Sequence, residues 1–117
     1  MNRLSLAATL VERAALRYTP AGLPALDLGL KHESMASEDG QPRKVSMEMK
    51  AVAIGAITQP LTALALGSGG LYAGFITSTR NGKGLLFHIT SFDADLAPEV
   101  APPASDETLL SGSFQIK

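Results

Sequence analysis

The residues of this chain best suited to chemistry are its cations. Arg13 and Arg17 flank a stretch that runs on through Tyr18, Pro20 and Gly22; Lys31 follows, then Arg43, Lys44 and Lys50, and finally Arg80 and Lys83 on either side of Asn81-Gly82. Guanidinium and ammonium groups bind phosphate, and a tyrosine ring stacks on a base. Together these nine residues suit an anionic ligand that carries flat faces. Catalysis has less to work with. His32-Glu33-Ser34 sets a base, an acid and a nucleophile in a row, but neighbours on a strand point to opposite faces. They are read as a polar cluster at a strand end. With two histidines and no cysteine, the chain by itself offers no multi-histidine or thiolate metal site, and no cofactor is expected. Asn81-Gly82-Lys83-Gly84 lacks both the earlier glycine and the following Ser/Thr of a phosphate-binding loop, so it reads as a hairpin tip. Gly67-Ser68-Gly69-Gly70 has no dinucleotide-binding register. No enzyme is expected.

The elements that must position these cations are mostly strands. Leu4, Leu6 and Leu10 share one face of a first strand, and Leu26, Leu28 and Leu30 one face of a second. Between them lies a loop, residues 12–22, longer than a turn needs; surplus loop on a small β domain usually belongs to binding. A third strand, residues 43–54, places Val45, Met47 and Met49 on one face and then shifts phase toward Val52 and Ile54, which predicts a bulge. Residues 55–66 follow helical spacing through Ile57, Leu61, Leu64 and Ala65. Pro60 suits the first turn and Gly67 the exit, for a helix of two to three turns. Two more strands, residues 71–77 and 85–92, meet through Asn81-Gly82, a strong hairpin signal. Phe75, Phe87 and Phe92 lie at strand positions and are read as core, leaving Tyr18 as the aromatic available to a base.

Strand, strand, strand, helix, strand, strand is the order of an all-β OB-fold, a five-stranded Greek-key barrel with its helix between strands three and four. A small split β-sandwich is the competing architecture. In the closed barrel the cations would fall along one groove and its rims. At 117 residues the chain holds one such domain, residues 1–95, and the Pro-containing stretch 96–117 reads as a tail. Net charge is −1, but it is unevenly placed. Residues 1–92 carry nine Lys/Arg against six Asp/Glu, and residues 93–117 one Lys against five acids. The body is basic and the tail acidic, an asymmetry that accompanies nucleic-acid binding. Residues 51–92 hold no acid at all, which singles out Arg80 and Lys83. The sequence shows no membrane-length apolar run, signal peptide or cysteine, which fits a cytoplasmic protein.

Several segments also resemble one family. Asn2-Arg3-Leu4, Thr9-Leu10, the run Leu16-Arg17-Tyr18-Thr19-Pro20-Ala21-Gly22-Leu23-Pro24, Leu30-Lys31-His32-Glu33-Ser34, Gly67-Ser68 and Gly74-Phe75-Ile76 are similar to the primosomal replication protein N (PriB) family, relatives of bacterial single-stranded DNA-binding protein. The resemblance implies a homodimer of OB-folds that binds single-stranded DNA and helps reload the replicative helicase at stalled forks, with the PriA helicase and the DnaT loader protein as partners. It assigns DNA contacts to Arg17, Arg80 and Lys83. Two features depart from the family pattern: Gln41 and Ser46 stand where better-known members carry aromatic residues, and Glu33 where they carry an arginine. Binding is therefore expected to lean on charge more than on stacking. The alternative is a protein-interaction module whose basic loops engage an acidic partner.

Overall fold

A computed structural model describes residues 1–94 of the chain. The elements are β1 (Leu4–Arg13), β2 (Arg17–Tyr18), β3 (Pro24–Glu38), β4 (Gln41–Ile54), α1 (Thr58–Ala63), β5 (Gly69–Ser78) and β6 (Leu85–Asp93). The five long strands run β1-β5-β6-β4-β3 and close through a second pairing of β1 with β3. This is the expected barrel, its helix between the third and fourth long strands. The sheet closes because β1 divides its length. Leu4 to Thr9 pair with β5, and Thr9 to Arg13 pair with β3 across a bulge between Leu10 and Glu12.

Strict alternation sets the core. Leu6, Ala8 and Leu10 of β1, Leu26, Leu28 and Leu30 of β3, Ala51 and Ala53 of β4, and Phe87 and Ile89 of β6 all point inward and are buried. Leu61 of α1 is wholly buried against them and closes one end; covering such a side chain is worth about 1.5–3 kcal/mol. The phase shift expected in the third strand does not occur. The β3–β4 register runs unbroken from Ala25↔Ile54 to Glu38↔Gln41. Small Ala51 and Ala53 fill the inward positions, and Val52 is buried on the other side of the sheet. The second bulge falls instead on β6, where Thr90 is the extra residue opposite the step from Ala73 to Gly74. Only glycine fits there: a Cβ on Gly74 would lie 1.8 Å from the His88 carbonyl oxygen.

Three further differences concern lengths and ends. The hairpin β3–β4 is far longer than its apolar stripe suggested, 15 and 14 residues. It turns at Asp39-Gly40, both in left-handed backbone conformation (φ 50° and 75°), the pattern of a tight hairpin turn. The helix is shorter than expected, six residues. It stops because Leu64 is already extended, and Gly67 (φ 92°) serves the following turn. The carbonyls at its end are capped from outside, by the Arg13 guanidinium, which donates from Nη1 to Leu61 O (3.2 Å) and to Leu64 O. None of the helices among the described residues is long and apolar enough to cross a membrane. The acidic tail expected at 96–117 lies outside the described residues.

Candidate nucleic-acid interface

Because β3 and β4 pair in one unbroken register, which face each cation occupies follows from counting. Asp27, Lys31 and Glu33 lie opposite the core-facing leucines of β3 and share their face with Lys50, Glu48, Ser46 and Lys44 of β4. Lys31, Lys44 and Lys50 therefore share one outward face. Arg43 has the opposite parity; it points with Met47 and Val45 and pairs with Glu38 at 3.1 Å near the hairpin tip. The outward face is mixed in charge. Glu48 stands directly across from Lys31, whose Nζ also lies 3.8 Å from Glu33. Ser46 and Gln41, at the positions that lack a ring, are both exposed.

Two loops flank this face. In the first, residues 14–23, β2 folds back as a two-residue ribbon on β3. A tight turn follows: Gly22 N–H donates to Thr19 O (2.8 Å), and Thr19 N–H to Leu23 O (2.8 Å). Gly22 has φ 87°, a backbone region that glycine enters at little cost. Arg17 is held by a two-pronged ion pair, Nε and Nη2 to the Asp27 carboxylate at 2.8 and 3.1 Å. Its guanidinium holds the Asp27 carboxyl below its usual range, chiefly by that hydrogen bond. Tyr18 beside it is 65% exposed. A cleft of about 450 Å³ separates this loop from β6, lined among others by Glu12, Asp27, Lys50 and Leu86. Its acids offset its bases.

The second loop, residues 79–84, is the acid-free one. Asn81 Oδ1 accepts from the Lys83 N–H (2.9 Å) and the Thr79 hydroxyl (2.8 Å), while the Thr79 and Gly84 backbones bond at 2.9 Å. The turn is thus braced by residues other than its cations. Arg80 and Lys83 are exposed and enter no ion pair among the described residues. Parallel pairing of Ala51 with Phe87 carries Leu85 to the level of Met49, so this hairpin rises beside the outward face of β4.

The nine predicted residues thus separate. Lys31, Lys44 and Lys50 lie on one face, Arg17 and Tyr18 at one margin, Arg80 and Lys83 at the other. Arg13 borders the cleft beside the first loop, but its guanidinium is spent on the helix, and Arg43 points away. Sequence reading also missed two things. Phe75 is not core: it is 39% exposed and stacks on His88, ring centroids 4.8 Å apart and planes 12° apart. And two members of the His32-Glu33-Ser34 cluster do meet. His32 Nδ1 donates to Ala7 O (2.6 Å), leaving Nε2 to accept from the Ser34 hydroxyl (2.7 Å). Residues two apart share a strand face, a signal that the sequence did contain. Glu33 points to the other face, so no three-residue relay forms; His32 instead pins β3 to β1 where β1 turns away toward β5. Among the described residues, no group of three or more acids and histidines is placed to hold a metal.

A closed five-stranded barrel, its helix between the third and fourth long strands and a braced cationic loop after the first and the fourth, is an OB-fold of the single-strand-binding class. Residues 2–91 match a family described as another single-strand binding protein family. A replication restart protein PriB from Bordetella pertussis is 45% identical over 80 residues, 68% of this chain and 75% of that protein. The solved PriB structure from Ralstonia solanacearum superposes with a TM-score of 0.73 at 38% identity, covering 80% of this chain and 96% of that one. The single-stranded DNA binding protein of Thermus aquaticus gives 0.63 at 26% identity, over 80% of this chain and 49% of its own. The chain belongs to the PriB family of single-strand-binding proteins.

Proposed function

We propose that the protein is a non-catalytic accessory of the replication-restart primosome. It binds single-stranded DNA across the outward face of β3 and β4, between the two loops, and assists helicase reloading at stalled forks. The observation that carries this reading is the hairpin of residues 79–84, whose two cations are exposed, enter no ion pair among the described residues and are set in a stretch without acid. Charges held ready in this way attract a phosphate backbone without first breaking an internal pair. The names of the relatives support the setting, replication restart. In this reading the protein works as a homodimer in the cytoplasm, with the PriA helicase and the DnaT loader as partners.

Lys31, Lys44 and Lys50 line the path between the loops, and Arg17 joins it by exchanging Asp27 for a phosphate. With Ser46 in place of a ring, this part of the path binds mainly through charge. Fluorescence anisotropy of a labelled oligothymidine, titrated at several salt concentrations, tests the proposal. Log affinity should fall linearly with log salt. An oligonucleotide that stays unbound at low salt refutes it.

A further inference from the structure

The outward surface of the barrel does not end at β4. Val52 pairs with His88 of β6, and His88 with Phe75 of β5; one step beyond the Leu4↔Gly74 pair, the register of β1 sets Arg3 across from Phe75. A single cross-strand row thus runs Asp27, Val52, His88, Phe75, Arg3. Its middle is aromatic and flat. Two rings lying 12° from parallel at 4.8 Å present one layered edge and one open face, and Phe75 stays 39% exposed although its strand neighbours Gly74 and Ile76 turn inward. Arg3 is exposed and enters no ion pair among the described residues. From residue 51 to residue 92 no carboxylate is available to repel a phosphate. Beside the ring lies a cleft of about 240 Å³, lined by Met1, Asn2, Arg3, Gly74 and Thr90 among others. It is smaller than the roughly 300–1,000 Å³ of small-molecule pockets. The floor of the cleft is firm, because the Asn2 amide pairs with both backbone groups of Ile76 (2.6 and 3.0 Å).

We infer that Phe75, backed by His88 and flanked by Arg3, is a base-stacking platform that extends the single-strand path from the 79–84 hairpin onto β5 and β1. The inference rests on the single-strand reading above and adds to it a ring that the β3–β4 face lacks. A base laid on the open face of Phe75 completes a three-layer stack, and Arg3 meets the adjoining phosphate. Aromatic platforms of this kind accept any base, since every base has a π-face.

The chain has no tryptophan, so Phe75→Trp supplies a single reporter at the platform. In the full-length variant titrated with a labelled oligothymidine, the indole emission should be quenched with the same midpoint as the anisotropy rise. Phe75→Ala should weaken binding roughly 5- to 150-fold, and Phe75→Leu, which keeps an apolar body but no ring, should fall short of wild type as well. Arg3→Gln should lower the salt slope by about 0.7. Unchanged indole emission at oligonucleotide concentrations where anisotropy shows full binding overturns the platform while leaving the single-strand reading intact. Emission that changes with protein concentration alone assigns the ring to a second copy of the chain, and also overturns it. If neither signal moves, the single-strand reading itself fails and the platform falls with it.

Discussion

Replacing Arg80 and Lys83 together with alanine isolates the electrostatic share of binding. Both side chains are exposed, and the turn that carries them is held by Thr79, Asn81 and Gly84. Stability should therefore change by less than about 0.5 kcal/mol. On a single strand each phosphate contact contributes about 0.7 to the slope of log affinity against log salt, so two contacts contribute about 1.4. Counterion release alone then predicts a variant weaker by about 65-fold at 50 mM salt and by about 10-fold at 200 mM. Near 100 mM the deficit is about 25-fold, or about 1.9 kcal/mol. Anisotropy titrations of wild type and variant over that range measure both slopes. An affinity loss with parallel slopes refutes the reasoning, because it means that the two cations do not meet phosphates. Arg43→Ala is the control. Its guanidinium is already paired with Glu38 and faces away from the lysines, so its slope should stay within about 0.3 of wild type, less than half of one phosphate contact.

Three further outcomes follow from the geometry. Arg13→Ala removes the donor to the Leu61 and Leu64 carbonyls and should cost about 1.5–3 kcal/mol in urea unfolding, with the salt slope of DNA binding unchanged. Gly74→Ala forces a methyl into the His88 carbonyl and should destabilise by more than about 3 kcal/mol, seen as a fall in the thermal midpoint. The Asp27 carboxyl titrates below its usual 3.8 in the folded protein, so its pair with Arg17 stabilises above that value and is lost as pH falls through the lowered one. Asp27→Asn should accordingly remove a small part, about 0.2–1 kcal/mol for an exposed pair, of the stability lost between about pH 5 and pH 2; thermal unfolding against pH reads it directly.

The barrel was legible in the sequence because half-buried strands advertise themselves. Leucines at alternate positions of β1 and β3, and Asn81-Gly82 between β5 and β6, are short-range signals that the fold obeys. What misled were positions where size outweighs hydrophobicity. Ala51 and Ala53 are inward but small, whereas Val52 is larger and lies under the outward surface, so apolarity alone suggested a bulge that the register does not contain. The long β3–β4 arm was missed because beyond Lys31 and before Met47 neither face meets the core, and alternation carries no signal there; Asp39-Gly40 was the available clue. Arg13 looked like a ligand contact because helix ends that need an outside donor cannot be recognised before the loop and helix are brought together. Phe75 was assigned to the core by its residue type, whereas the alternation of β5, with Tyr72, Gly74 and Ile76 inward, sets it on the outward face.

The divided pairing of β1 has a consequence for the order in which the molecule assembles. Its C-terminal half meets β3 as a near neighbour in sequence, but its N-terminal half, Leu4 to Thr9, waits for β5, sixty or more residues later. Loop closure over that distance costs more than closing the β3–β4 arm, whose turn is two residues long. On a ribosome the C-terminal half of the first strand can pair once β3 has been made, whereas its N-terminal half stays open until β5 has followed. The arm should therefore be the early structure and the β1–β5 seam the late one. Conservative truncations in the arm would then slow folding, and those at Leu4 or Leu6 would mainly speed unfolding.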